Sequence, residues 1–163
     1  MKEKLKTTDY PSRNVKTQTY VDGDTFITKH FYDARDAYVR EFISLKDGVQ
    51  EIKHYTDQGV LSKLDHFVEN KRHGLETKYM ISKANSSVKS TKMYENGKLH
   101  GENITYSQSG EVVKHEVFAL GKLVLKYLRE DSDSDEITKV TIVDKESIVN
   151  LPTTEHDKLQ NYI

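Results

Sequence analysis

Histidine supplies the most suggestive chemistry in this chain. His73 and His100 each precede a glycine, as His73-Gly74 and His100-Gly101, and His54, His66 and His115 lie nearby among many Asp and Glu residues. Imidazoles and carboxylates are the raw material of a metal centre or of general acid–base catalysis, provided several of them converge with fixed geometry. The spacing argues otherwise. His73 and His100 hold equivalent places in two copies of one motif. On successive hairpins they would stand two strands, about 10 Å, apart, too far to share one ion. No metal and no cofactor is expected. Each His is expected to pack beside a turn, and each Gly to let a neighbouring aromatic lie across the backbone.

The other catalytic inventories are empty. The chain has no Cys, which excludes thiol chemistry, disulfides and cysteine zinc sites together. It contains no G-x-S-x-G elbow, P-loop, G-x-G-x-x-G fingerprint or H-E-x-x-H. Carboxylates such as Glu102 and Glu111 occur in runs with Lys, the pattern of a solvated strand face. The expectation is a protein that is not an enzyme and has no catalytic residue.

The elements that must carry these residues repeat. FVENKRHGLETKY (67–79) and YENGKLHGENITY (94–106) align without a gap. Tyr55, Phe67 and Tyr79 lie 12 residues apart, as do Tyr94, Tyr106 and Phe118, and Gly59 to Phe67 matches Gly110 to Phe118. KANSSV (83–88) reads as a three-residue insertion between copies. Units beginning near residues 20, 45, 67 and 94 precede a decayed copy, FALGKLVLKY (118–127), and each unit is about 24 residues long. A 12-residue step is about 3.3 helical turns, so aromatics on a helix would drift around its surface. Two short strands and a turn keep one aromatic per strand in register. Asn96-Gly97 is a dipeptide that suits a tight hairpin, and Asp47-Gly48 and Asp22-Gly23 sit where equivalent turns would fall. No proline lies between Pro11 and Pro152, which leaves the strands free to donate their hydrogen bonds.

The fold class expected is all-β: an elongated meander of β-hairpin repeats forming a thin twisted antiparallel sheet, with a short C-terminal helix. Hydrophobic residues are only 35% of the chain and charged ones 31%, too polar a mix for clean apolar faces on every strand. One domain is the natural count for 163 residues. Within it we expect an N-terminal arm over 1–19, flexible and solvated, and hairpin repeats over 20–128. REDSDSDE then forms an acidic hairpin loop, with a final strand, over 129–150, and a tail or short helix occupies 151–163. A Thr cap near Thr153 starts that helix. Leu159, Tyr162 and Ile163 are expected to dock on the last strand and cover its edge.

YENGKLHGE (94–102) resembles the MORN-variant repeat, and KRHGLETKY (71–79) is a looser match. The resemblance covers about residues 20–127. It implies serial β-hairpins and, in many members, a protein-interaction or scaffold role. It also implies two alternatives. One is an antitoxin-like protein that neutralises a cognate toxin by direct binding; the other is a structural component of a virus particle or virus-made assembly. The Trp common after His-Gly in such repeats is missing; Asn103-Ile104-Thr105 stands there.

Charge ranks the partners. Lys and Arg number 25 against 26 acidic residues, which disfavours nucleic acid and an anionic membrane surface. A protein partner is expected, with self-association through a sheet edge as a second mode, in a soluble intracellular setting. Tyr55, Tyr79 and Tyr106 occupy the second aromatic position of successive units and form the candidate protein-binding ladder. Phe67, His73, Gly74, Tyr94, Asn96, Gly97, His100, Gly101 and Phe118 are read as structural repeat positions.

Overall fold

A computed structural model describes residues 2–81, 87–128 and 139–159. The protein is all-β, with antiparallel strands in hairpin order and one short helix. It forms two compact units rather than one domain: Met1–Asn70 with Ile81–Ser86, and Lys71–Met80 with Ser87–Ile163. Repeats that contact only their neighbours have no need of a single shared core.

The first unit is a six-stranded meander: β1 (Lys2–Asp9), β2 (Val15–Asp22), β3 (Thr25–Phe31), β4 (Val39–Lys46), β5 (Val49–Tyr55) and β6 (Leu61–Val68). Each strand pairs antiparallel with the next. The arm expected over 1–19 is therefore wrong: it supplies β1 and most of β2. Lys2, Lys4 and Lys6 recur at every second position of β1, and a lysine-rich edge is also how sheets deter unwanted pairing. The second unit holds β7 (Lys71–Arg72), β8 (Gly74–Met80), β9 (Ser87–Glu95), β10 (Lys98–Tyr106), β11 (Val112–Ala119), β12 (Lys122–Leu128) and β13 (Lys139–Ile142). A 3₁₀ turn (Ile148–Asn150) and α1 (Thr153–Leu159) follow. Among the described residues, no helix is long and apolar enough to cross a membrane.

The turns carry the repeat. Two-residue turns fall at Gly23–Asp24, Asp47–Gly48, Glu69–Asn70, Asn96–Gly97 and Leu120–Gly121, close to the expected period. Both residues have positive φ at Asp47–Gly48 (51° and 77°) and Asn96–Gly97 (49° and 84°), as a type I′ turn requires. The first turn lies one residue later than expected. Asp22 ends β2, and Gly23 alone has positive φ, the II′ pattern. At the opposite strand ends the chain reverses in four-residue turns, Thr56–Gly59 and Ser107–Gly110. These are closed by Gly59 N–H to the Thr56 carbonyl (3.0 Å) and Gly110 N–H to the Ser107 carbonyl (3.1 Å).

Burial separates the two units. In the first, only Ile27 and Asp65 are buried among the described residues, so it is a single layer with no core of its own. In the second, Val117, Ala119, Val124, Leu125, Tyr127 and Leu151 form a core, with Val140, Ile142 and Ile148 against it. Val124 and Leu125 are both fully buried, at the point where the pairing of β11 with β12 shifts register. The helix does not begin with a Thr cap. Pro152 precedes it, and its carbonyl accepts from Glu155 N–H (2.9 Å) and His156 N–H (3.3 Å). KANS (83–86), the acidic run 129–136, Tyr162 and Ile163 lie outside the described residues, as does the Leu159 side chain.

Candidate functional site

Several histidines stand beside carboxylates. His54 Nε2 lies 3.1 Å from Asp65 Oδ2, and its Nδ1 lies 3.5 Å from Glu41 Oε1. His66 stands 3.5 Å from Glu51, and His115 stands 2.9 Å from Glu102. Among the described residues, no three His, Asp or Glu side chains are arranged to hold a metal ion. His100 does lie beside a turn: its Nδ1 accepts from Leu120 N–H (3.3 Å), and its Nε2 is 3.2 Å from Glu95. His73 is exposed. The glycine expectation needs correction at Gly101, where an added Cβ would meet Met93 at 3.3 Å rather than an aromatic. The aromatic crossing occurs at Gly59 instead, where an added Cβ would sit 2.6 Å from Tyr38 Cδ1.

A polar cluster locks α1 onto the second unit. Lys158 Nζ donates to Glu102 Oε1 (2.6 Å) and to Glu155 Oε1 (2.9 Å), and Tyr127 Oη donates to Glu155 Oε2 (2.8 Å). The Tyr127 and His115 rings lie 4.5 Å apart, centre to centre, which closes the circuit back to Glu102. The hydrogen bond from His115, then the one from Lys158, together with the charges of both, outweigh burial and hold the Glu102 carboxyl down to about 2. Burial opposes the Lys158 charge, but the hydrogen bonds to Glu102 and Glu155 overcome it and raise its pKa. These groups satisfy one another. A small cleft of about 190 Å³ beside them is lined by Leu75, Met93, Gly101, Glu102, Pro152 and Thr154, among others. The cluster acts as a fastener for the helix.

The three candidate tyrosines share one structural position. Tyr55, Tyr79 and Tyr106 each stand at or next to the end of a strand, directly after a break in pairing register. All are half-buried. Tyr79 and Tyr106 are on β8 and β10 with β9 between them. That spacing is about 10 Å, beyond ring contact, so these two do not stack directly. In the first unit, equivalent tyrosines tie neighbouring hairpins together: Tyr10 Oη donates to the Phe31 carbonyl (2.9 Å) and Tyr32 Oη to the Tyr55 carbonyl (2.8 Å). Phe67, Tyr94 and Phe118 each lie two residues before a two-residue turn.

A surface that sequence reasoning missed crosses the first unit. Lys2 and Lys29 place their ammonium groups 5.7 and 5.4 Å from the Tyr20 ring centre. Lys29 and Lys53 do the same for Phe42, at 5.7 and 5.9 Å. Lys and aromatic residues thus alternate over five strands, β1 to β5. Register makes this possible, since Gln18 pairs with Lys29, Lys29 with Phe42 and Phe42 with Lys53. Two clefts open on it. One, of about 270 Å³, is lined by Lys2, Lys4, Gln18, Tyr20 and Lys29. The other, of about 220 Å³, is lined by Lys29, Tyr38, Val39, Phe42, Tyr55 and Gly59. The signal in the sequence was a Lys or an aromatic at matched strand positions, visible only once register was known.

Comparison with known proteins adds little. No family model matches the chain, and no curated protein matches it. Among solved structures it is similar, at 14% identity, to the pneumococcal O-GlcNAc transferase GtfA in complex with UDP and GlcNAc. That match covers 98% of this chain but 24% of that one, with a TM-score of 0.26. At that score the likeness carries no argument about fold or function.

Proposed function

We propose that the chain is a non-catalytic protein-interaction module built from MORN-like hairpin repeats. One observation carries this reading: the first unit is a single-layer sheet in which, among the described residues, only Ile27 and Asp65 are buried. Sheets ordinarily bury at least one face against another layer. Here Tyr20, Phe42 and Tyr55 are left half-buried, and a partner laid on this layer would bury them further. Aromatic side chains of this kind dominate binding surfaces because they offer large contact area at modest entropic cost. The repeat register supports a scaffold role, since it presents similar positions at regular strand spacing.

The test is affinity capture of the tagged full chain from its native host, with mass spectrometry of the captured proteins and light scattering of the purified chain. One dominant stoichiometric partner, or a defined self-assembly, is the expected result; its identity also distinguishes a toxin from an assembly component. A clean monomer that captures no protein, or a specific small-molecule turnover, would overturn the reading.

A further inference from the structure

We propose that the Lys-and-aromatic face of the first unit binds an acidic peptide segment that carries an aromatic residue. A carboxylate enters the lysine cleft, and a ring enters the cleft of Tyr38, Phe42 and Tyr55. The inference rests on the interaction-module reading and names its surface and its partner's chemistry.

The lysine cleft is cationic and lacks an acid in its lining. Lys2 is partly neutralised by Asp22 at 3.7 Å, and Lys53, further along the face, by Glu51 at 2.9 Å. Lys4 and Lys29 have no carboxylate within ion-pair distance among the described residues. They flank Gln18, whose amide can donate, and Tyr20. Lys29 also forms the wall of the second cleft, whose other residues are Tyr38, Val39, Phe42, Tyr55 and Gly59. A cation pocket and an aromatic pocket therefore share one residue. Tyr20 and Phe42 sit on β2 and β4, two strands or about 10 Å apart, a distance spanned by about three extended residues. The face thus matches an acid and a ring about three positions apart in a segment crossing the strands.

The clefts are small and open compared with the sites that enclose metabolites. An occupant needs contacts beyond them, which favours a macromolecule. A phosphate backbone fits less well than a peptide. Nucleic acid requires a continuous run of free cations, whereas the ion pairs of Lys2 and Lys53 place Asp22 and Glu51 beside this row. The carboxylates of a short acidic segment fit a cleft in which Lys4 and Lys29 have no acidic partner among the described residues.

Fluorescence anisotropy with the full chain tests this. The probe is a fluorescein-labelled peptide, Ser-Asp-Glu-Asp-Ser-Gly-Phe-Gly-Ser, compared with versions carrying Lys for the acids or Ala for Phe, and with a labelled oligo-dT. Saturable binding of the acidic peptide is expected, weaker in high salt, about tenfold weaker for the Lys version and several-fold weaker for the Ala version. Lys29→Glu and Lys4→Glu should each lower affinity at least about tenfold, while the charge-matched Lys126→Glu stays within about twofold. Lys4 is exposed, so its variant guards against a folding defect in Lys29→Glu. Absence of saturable binding at about 1 mM peptide, affinity unchanged in both variants, or tighter binding of oligo-dT would overturn the proposal. If the peptide fails while capture from the host still yields a stoichiometric partner, this inference falls and the interaction reading stands. If capture fails as well, both fall.

Discussion

Lys158 Nζ lies 2.6 Å from Glu102 Oε1, so a residue of α1 is tied to the middle of β10 across 56 positions of sequence. The bond fixes the helix on the second unit at the point where Tyr127 and Glu155 also meet. It also gives the fold a definite acid sensitivity. The folded pKa of Glu102 is about 2, below the 4.5 of an unperturbed glutamate. A depressed carboxylate pKa contributes stability that is complete above the unfolded value and is lost as pH falls through the folded one. Between pH 4.5 and about 2 the second unit should therefore weaken. Glu102 is 34% exposed, and after discounting for solvent screening the loss is about 1–2 kcal/mol. Glu102→Gln should flatten that limb in urea unfolding measured against pH; an unchanged limb would contradict the assignment.

Tyr127→Phe removes the hydroxyl that donates to Glu155, whose side chain is 3% exposed. Leaving a buried carboxylate oxygen short of a donor costs about 1–3 kcal/mol. A lower urea midpoint is expected, together with faster amide exchange in α1. Equal stability of the two proteins would show that the cluster fastens nothing.

Leu120 holds φ of 50° in a two-residue turn and is 49% exposed. A branched apolar side chain gains little there, and the left-handed conformation costs it about 1 kcal/mol. Leu120→Asn should raise the thermal midpoint by a few degrees, because Asn tolerates this conformation. A fall in midpoint would mean that Leu120 makes a packing contribution larger than its exposure implies.

Gly59 is the turn residue that Tyr38 crosses. An added Cβ would meet the ring at 2.6 Å, and φ there is 78°. Gly59→Ala should displace Tyr38 and reshape the aromatic cleft, at a cost of about 1–2 kcal/mol. Ring-proton NMR shifts of Tyr38 would report the displacement. Unmoved shifts with unchanged stability would contradict the close approach.

Much of the fold was legible because its period is written twice in the chain. The gap-free match of 67–79 with 94–106 places Glu69–Asn70 and Asn96–Gly97 at equivalent turns, and Phe67 and Tyr94 at equivalent strand positions. Even the decayed copy, with Leu120–Gly121, turns where the period requires. The hairpin of β1 and β2 was missed because charged residues and Thr outnumber Leu5, Val15 and Val21 there and look like solvated chain; pairing makes it a hairpin. The shift to Gly23–Asp24 was missed because an Asp-Gly dipeptide and a Gly-Asp dipeptide both suit tight turns. The Lys-aromatic row was invisible for a different reason. Lys2, Tyr20, Lys29, Phe42 and Lys53 share no motif and no even spacing, and become neighbours only through the register of five strands. Likewise Glu102 read as a solvated carboxylate, since nothing near it in sequence announces that Lys158 will reach it.

Site-specific photo-cross-linking in the native host tests the binding face most directly. p-Benzoylphenylalanine is introduced at position 18, which lines the lysine cleft, and separately at position 17, which strand alternation places on the opposite face. The expected result is a single discrete adduct from position 18, lost with Lys29→Glu, and little or none from position 17. Equal adducts from both positions, or no adduct from position 18 while the full chain still captures a partner, would contradict the assignment of this face.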